Sequence, residues 1–590
     1  MATIADEKIY PEDVATPGSP PDNTRPLQLD DLPEGYFRSV RFIGSVTGVC
    51  LMAISLYLGF VLPANTLLVI NEDLGPDPNY ILIVTAFTLV SGVGLLLVGR
   101  LGDIIGRRYF LIGGQTIGFI GAIIGATAQN IPTVIGGSVL TGGAAAVQLT
   151  FTFVVSEIVP NKYRPVVNSG LFLATLPFAA FGPLIAQLFV KNTAKGWRWN
   201  YYLNCITCGL SAILFLFFYF PPGYSQLHRK TSRWEQVKKM DYVGLVLYSG
   251  GLVLVLLGLS WGGTSYPWDS GHVIGTLVVG FVTLMLFALY EFLVPVEQPL
   301  LPPKLLKNGN YVAITIAGCV GTMIYFSMNV LWPEEIAELY TTDPVDAGWL
   351  ACTTGSAVVL GQILSGVIMK PLGHARWQLF GSTVFMTTFL GALASADQHR
   401  KAHGIAFTFL GGLGVGFQEM ITIIMAALVC DPEDIGLASG FLGSMKQVSG
   451  TIATAIYVAI LKNRLNDNLA PTVTSTALNA GISKSSIPAL FQALKAGTAD
   501  ALQAVPGMTT QIAAVVEEAV QTVYSSAYRT VYLASIAFGG VAIIAAFSSR
   551  SIDDKMTAEV ARKLRGVDAH DVKGDDVENN GEGNNNNPPK

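Results

Sequence analysis

Runs of about twenty apolar residues recur along this 590-residue chain and constrain its fold more than any other feature. Each is long enough to cross a hydrocarbon core of ~30 Å as a helix. They lie near 42–62, 80–99, 109–128, 132–154, 166–189, 203–220, 242–261, 272–293, 311–332, 347–368, 378–396, 404–428, 436–460 and 530–548, fourteen in all. In lipid the backbone polar groups of a span must be satisfied internally, so such runs fold as helices. Charged residues make up only 13% of the chain and hydrophobic residues 51%, against about 25% charged in soluble domains. The expectation is an all-α polytopic membrane protein, with the lipid bilayer as partner and no role for nucleic acid.

Lysines and arginines in the short loops set the orientation. With the N-terminus in the cytoplasm, inner loops carry Arg100, Arg107, Arg108, Lys162 and Arg164. The middle loop adds Arg229, Lys230, Arg233, Lys238 and Lys239, and later inner loops add Lys304, Lys307, Lys370 and Arg376. The outer stretches NEDLGPDPNY, QNIP and EEIAELYTTDPVD carry none, and KNTAKGWRW is the exception. Both termini are therefore expected in the cytoplasm. Residues 1–41 and 551–590 read as disordered tails, because they are too polar to bury a core. Segment 462–529 is a long outer loop whose stretch SIPALFQALKAGTADALQAV reads as one or two surface helices. The six cysteines sit in or at the ends of apolar runs, and no histidine or second cysteine pair stands near Cys205 and Cys208. Neither a disulfide framework nor a metal site is expected. No nucleophile–base constellation is found, so an enzyme is excluded, and no cofactor is expected.

An internal repeat organises the spans. GRLGDIIGRRYF follows the second run and GVIMKPLGHARW follows the tenth. Gly99, Asp103, Gly106 and Arg107 align with Gly366, Lys370, Gly373 and His374 at identical spacing. The two loops are equivalent if the seventh and eighth spans are an insertion. The domain plan is then a six-helix half over 42–220, a linker with two extra spans over 221–300, and a second six-helix half over 301–550. Two halves related by an axis along the membrane normal are the architecture of an alternating-access carrier, with its substrate site between them. In the first loop, Gly99 and Gly106 permit close approach and tight turns. Asp103 can accept bonds from free N–H groups where a helix begins, and Arg107 and Arg108 anchor the loop at the inner leaflet.

GRLGDIIGRRYF resembles the signature loop of the major facilitator superfamily, departing only at Ile104, where a basic residue is usual. GWRWNYYLN (Gly196 to Asn204) and LSWGGTSYPW (Leu259 to Trp268) look like segments of the fourteen-span drug/proton antiporters. LPANTLLVINEDLG and the overall layout look most like the fungal trichothecene efflux pump family. The resemblance covers roughly residues 40–550 and implies a major facilitator fold of fourteen helices (6+2+6) and proton-driven export of toxins and secondary metabolites. Gly182-Pro183 in FGPLIAQ is similar to the core of the antiporter motif, where glycine lets the halves close and proline kinks the helix. Span four departs from those antiporters: Ser138 stands at their membrane arginine and Thr141 at their glutamine. Gly59 stands where some fourteen-span exporters place an acid in span one.

The run GVGFQEMITIIMAAL puts Glu419 inside span twelve, which corresponds to a cavity-lining helix once the insertion is discounted. Acids at membrane depth face the protein interior or a water path and mark function. Among the runs above, Glu419 is the only acid well inside. Lys446 lies in span thirteen. Glu419 stands eleven positions before Cys430 and Lys446 eleven after Ile435, so each lies ~16 Å from the cytoplasmic end. A Glu419–Lys446 pair follows, since pairing lowers the cost of burying either charge. Two readings stay open: a permanent pair that fixes helix packing, or a pair that opens when Glu419 takes up a proton.

Polar positions inside other spans, Gln148, Asn329, Gln362 and Gln418, are candidates for substrate contact, with Tyr325 and Phe326 among the aromatic residues that could form an apolar wall. Apolar walls with a few polar groups suit a bulky, weakly polar organic molecule. The expected function is a secondary active transporter, monomeric and in the plasma membrane. It exports a moderately hydrophobic organic compound in exchange for protons. Siderophore–iron uptake and a non-transporting substrate sensor are the alternatives.

Overall fold

The computed structural model describes residues 35–555, apart from 76, 78, 79, 81, 222–240, 263–265, 295–302, 342, 431–434 and 497–501. The expected tails over 1–34 and 556–590, and the basic residues Arg229, Lys230, Arg233, Lys238 and Lys239, lie outside the described residues. Every expected span falls on a helix. The first six are α1 (Val40–Ala64), α2 (Leu82–Ile105), α3 (Arg107–Thr127), α4 (Ile131–Gln148), α5 (Arg164–Asn192) and α6 (Arg198–Phe218). A hairpin of α7 (Tyr242–Trp261) and α8 (Gly271–Leu293) follows. The last six are α9 (Gly309–Leu339), α10 (Pro344–Leu372), α11 (Ala375–Leu393), α12 (Lys401–Val429), α13 (Ile435–Asn479) and α14 (Thr510–Ser548). Among the described residues, eleven helices are long and apolar enough to cross a membrane, and no strand forms beyond one isolated bridge, Gly262–Tyr266.

Local chemistry sets the helix ends. Side chains of Ser39, Asn130, Asp241, Ser270, Asn308 and Asp343 accept the first free N–H groups of α1, α4, α7, α8, α9 and α10. Gly106 and Gly373, which align in the sequence repeat, both turn the chain with positive φ, 100° and 60°. Arg108 and Arg376 follow these turns. Each donates at 2.6 Å to a carbonyl in the last turn of the sixth helix of its group, Leu216 of α6 and Phe547 of α14. A cation there satisfies a free carbonyl and the negative end of the helix dipole. The aligned positions that behave alike are the two glycine turns; Arg108 and Arg376 stand two and three residues past them and are not aligned with each other. The backbone of Gly99 and Asp103 belongs to α2, while the Asp103 side chain falls outside the described residues. Arg107 is buried.

Three boundaries differ from the sequence reading. Residues 35–41 belong to the fold rather than to a tail, because Tyr36 is buried against the core. The helix expected to end at 332 runs through Pro333 to Leu339, since a proline inside a membrane helix costs one bond without ending it. Segment 462–529 is largely the continuation of α13 and the start of α14. With helix Ile487–Ala496 these close a separate small core around Val473, Leu490 and Val516.

The two groups of six meet along two seams, α5 against α10 and α2 against α13. At the end carrying the glycine turns, here the loop end, one continuous core joins them, including Val155, Leu171, Met369 and Leu437. At the far end the cores are separate: one around Ile83 and Trp197, one around Leu58 and Leu62, one around Leu331 and Tyr528. Gly366 lies where a Cβ would overlap Ser169 Oγ and the Pro165 carbonyl, so the loop end of the α5–α10 seam is closely packed. Ser169 Oγ also donates to the Ile363 carbonyl across it, at 3.0 Å. In the other seam, Ser444 Oγ donates to the Gly92 carbonyl at 3.1 Å and also bonds to Tyr248 of the hairpin.

Candidate functional site

A cavity of about 190 Å³ lies between the two groups of six, beyond the sealed loop end. Its first wall is aromatic. Tyr57 and Phe60 of α1, Phe87 of α2 and Phe172 of α5 line it, with Phe151 and Phe153 of the short helix Phe151–Ile158. Ring pairs Phe60–Phe87 and Phe151–Phe172, each 5.5 Å between centroids, hold this wall together. Its second wall carries Tyr325 and Phe326 and nearly all of the polarity: Thr322, Gln362, Glu419, Lys446 and Gln447.

Glu419 is the centre of the polar group. Lys446 Nζ lies 3.0 Å from its Oε1. Gln362 Nε2 donates to Oε2 at 3.1 Å and Thr322 Oγ1 to Oε1 at 3.4 Å. The Lys446 and Glu419 side chains are 11% and 13% exposed. Four helices thus converge on one carboxylate: α9, α10, α12 and α13. Antiparallel α12 and α13 bring the pair together because Glu419 stands ten positions before the loop end of α12 and Lys446 eleven after that of α13. Both carboxylate oxygens are hydrogen-bonded, and the ammonium is paired, which is what a buried pair needs to be tolerated.

Of the other residues proposed from sequence, Gln362, Tyr325 and Phe326 line the cavity, and three do not. Gln148 is buried between α3, α4 and α6, 3.4 Å from Gln115 Oε1 and 3.5 Å from Cys208. Asn329 is exposed and donates to the Tyr325 carbonyl one turn back, at 2.8 Å. Gln418 donates to the Ala317 carbonyl at 2.7 Å and packs on Gly321, tying α12 to α9. In each case a polar side chain in an apolar helix serves a neighbouring helix or its own backbone. Gly182 packs against Val61 and Leu62 of α1, within its own group, and Pro183 follows it inside α5. The close approach between the two groups is made instead by Gly355 and Gly366 of α10. Ser138 is buried on α4 and does not line the cavity.

Sequence reasoning missed Tyr57, Phe60, Phe87, Thr322 and Gln447, whose facing depends on how the two groups dock. It also missed a buried acid of α9, Glu335, which lies inside the helix because α9 continues past 332. The signal was present: Trp332, Glu335, Ile336 and Leu339 share one helical face, and all four are buried.

The motif GWRWNYYLN locks the far end of the first group. Trp197 Nε1 and Arg198 each donate to Asp73 at 2.9 Å, and Arg198 also donates to the Ala128 carbonyl at 3.1 Å. Asn200 donates to Thr66 at 3.0 Å. The Trp197 indole, then Arg198, hold the Asp73 carboxyl below its usual pKa.

The family model described as "Fungal trichothecene efflux pump (TRI12)" matches residues 19–589. The chain belongs to the fungal trichothecene efflux pump family. As a member of that family it is a multi-pass membrane transporter of the major facilitator superfamily and not an enzyme. Its relatives include the trichothecene efflux pump TRI12 of Fusarium sporotrichioides, 31% identical over 90% of each chain. The same-named pump of Trichoderma arundinaceum is 30% identical over 92% of each. The MFS-type transporter prx5 of Penicillium rubens is 30% identical over 92% of this chain and 95% of its own. Among solved structures, the human organic anion transporter MFSD10 (TETRAN) superposes with a TM-score of 0.50 at 9% identity, covering 84% of this chain and 99% of that one. That likeness shows the all-helical major facilitator fold alone.

Proposed function

We propose that this protein exports a moderately hydrophobic organic compound, a toxin or secondary metabolite, by proton antiport with alternating access. In this reading it crosses the plasma membrane fourteen times as a monomer with both termini in the cytoplasm, in the plan 42–220, 221–300 and 301–550. The observation that carries it is the Glu419–Lys446 pair, set in the polar wall of an otherwise aromatic cavity between the two groups of six. The likeness to two trichothecene efflux pumps supports the substrate class and direction.

With the loop end in the cytoplasm, the described state is sealed inside and has its cavity toward the outside. Aromatic rings hold a bulky, weakly polar molecule by stacking and burial. A proton entering from outside neutralises Glu419, and the Lys446 ammonium then loses its counter-charge. An unpaired buried cation is unfavourable, so the four helices that meet at Glu419 rearrange. The closely packed α5–α10 seam opens at its loop end, and the proton leaves to the cytoplasm as substrate enters. Ser138, in place of the antiporters' arginine, leaves Glu419 as the proton carrier at the cavity.

The test is accumulation of a labelled trichothecene in yeast cells lacking their own exporters. Expression of this chain lowers accumulation, and a protonophore or Glu419→Gln restores it. Accumulation that instead rises with expression, or an iron siderophore taken up in its place, refutes the export reading.

A further inference from the structure

Away from the cavity, α9 carries a buried acid of its own. Glu335 is 1% exposed, and its Oε2 is hydrogen-bonded to the Tyr532 hydroxyl of α14. It stands thirteen residues beyond Thr322 on α9, about 20 Å further toward the far end, so the two acids occupy separate environments. Glu419 faces an ammonium. Glu335 is in no ion pair among the described residues.

Its surroundings are phenolic rather than cationic. From α14, Tyr528 and Tyr532 face it. Tyr340, at the end of α9, lies within electrostatic reach and donates to the Asp397 carbonyl. The charged groups nearby are on the outside. Glu334 and Glu338 are exposed on α9, with Lys462 of α13 near Glu334. Asp343 and Asp346 of α10, Lys401 and His403 of α12, and Arg529 of α14 are exposed as well. Burying an ionised carboxylate with one neutral partner and no counter-charge is far costlier than burying the neutral acid.

We propose that Glu335 is a second proton-binding group of this transporter, holding its proton while α9 and α14 are packed at the far end and releasing it when they part. On release the carboxyl O–H bond breaks, the proton passes to water, and the carboxylate remains. Tyr532 fits both states, since its hydroxyl can accept from the acid or donate to the carboxylate. The tyrosine tells the two apart by the direction of one hydrogen bond, which makes the contact a latch between α9 and α14. The site is independent of whether Glu419 couples transport.

Infrared difference spectroscopy of the purified protein in lipid nanodiscs, without substrate, tests this. At about pH 7 an ordinary glutamate is ionised. The wild type is expected to show a protonated-carboxyl C=O band that disappears in Glu335→Gln and persists in Glu419→Gln. In Tyr532→Phe, which keeps the acid and removes one hydrogen bond, the band moves to higher frequency. A folded Glu335→Gln protein with an unchanged band overturns the proposal. If Glu335→Gln does not fold, Tyr532→Phe decides: a band that stays in place overturns it.

Discussion

Neutralising Glu419 and Lys446 singly and together separates stability from coupling. At 3.0 Å and an effective dielectric of about 20, the attraction between the two charges is about 5–6 kcal/mol before desolvation. Removing one partner leaves the other buried and uncompensated, a loss of about 3–5 kcal/mol. Glu419→Gln keeps the shape and can keep the contacts to Gln362 and Thr322, so its cost comes mainly from the stranded ammonium. Lys446→Met strands the carboxylate. The double variant strands neither, and replacing a buried pair by neutral groups of similar volume is often close to neutral. Thermal unfolding of purified protein in detergent should therefore show both single variants well below wild type and the double variant recovered, its loss far smaller than the two single losses added together. Transport should not recover: the double variant, stable as it is, lacks the titrating group and exports nothing against a gradient. A double variant that exports uphill like wild type refutes the proton role. Single variants as stable as wild type refute the buried pair.

Three further outcomes follow from the geometry. Gly366→Val places side-chain atoms on Ser169 and the Pro165 carbonyl, so the loop end cannot seal; cysteines placed along α5 near Ser169 should become reactive from the cytoplasmic side, and unchanged reactivity contradicts the seal. Tyr325→Ala removes an aromatic wall from the cavity and should raise the substrate concentration for half-maximal export by about ten-fold, ~1.4 kcal/mol, with proton dependence unchanged. Asp73 has its carboxyl pKa lowered by Trp197 and Arg198. Its contribution is thus complete above the ordinary carboxylate pKa and is lost only as pH falls through the lowered value. Because Asp73 is half exposed, Asp73→Asn should cost no more than about 1 kcal/mol. In a pH series of melting temperatures it should flatten only the acid limb.

The helices were legible because a membrane span advertises itself by length and apolarity, and the superfamily because GRLGDIIGRRYF encodes a turn that only Gly106 with its positive φ makes easily. The same residues suggested the repeat; in the structure Gly106 and Gly373 both turn with positive φ, and Arg108 and Arg376 cap the helices that end at Phe218 and Ser548. Glu419 and Lys446 could be brought together on paper because antiparallel neighbours turn residue counts into depth. What a single chain does not reveal is the facing of an uncharged residue. Gln148, Asn329 and Gln418 looked alike in sequence to Gln362, yet only Gln362 reaches the carboxylate. A glutamine satisfied by a helix carbonyl and one satisfied by a buried acid differ only in tertiary packing. Glu335 escaped because its helix was cut at Pro333, and a proline that kinks a helix looks in sequence like one that ends it.

In the proposed antiport cycle, proton entry at Glu419 is the driving step. The most direct measurement is proton flux in proteoliposomes loaded with a pH dye, on addition of a trichothecene and with an imposed pH gradient. Wild type should move protons in the direction opposite to the substrate and accumulate it against its gradient, while Glu419→Gln should only exchange labelled for unlabelled substrate. Equal uphill accumulation by Glu419→Gln, or substrate movement with no proton counterflow in wild type, would contradict it.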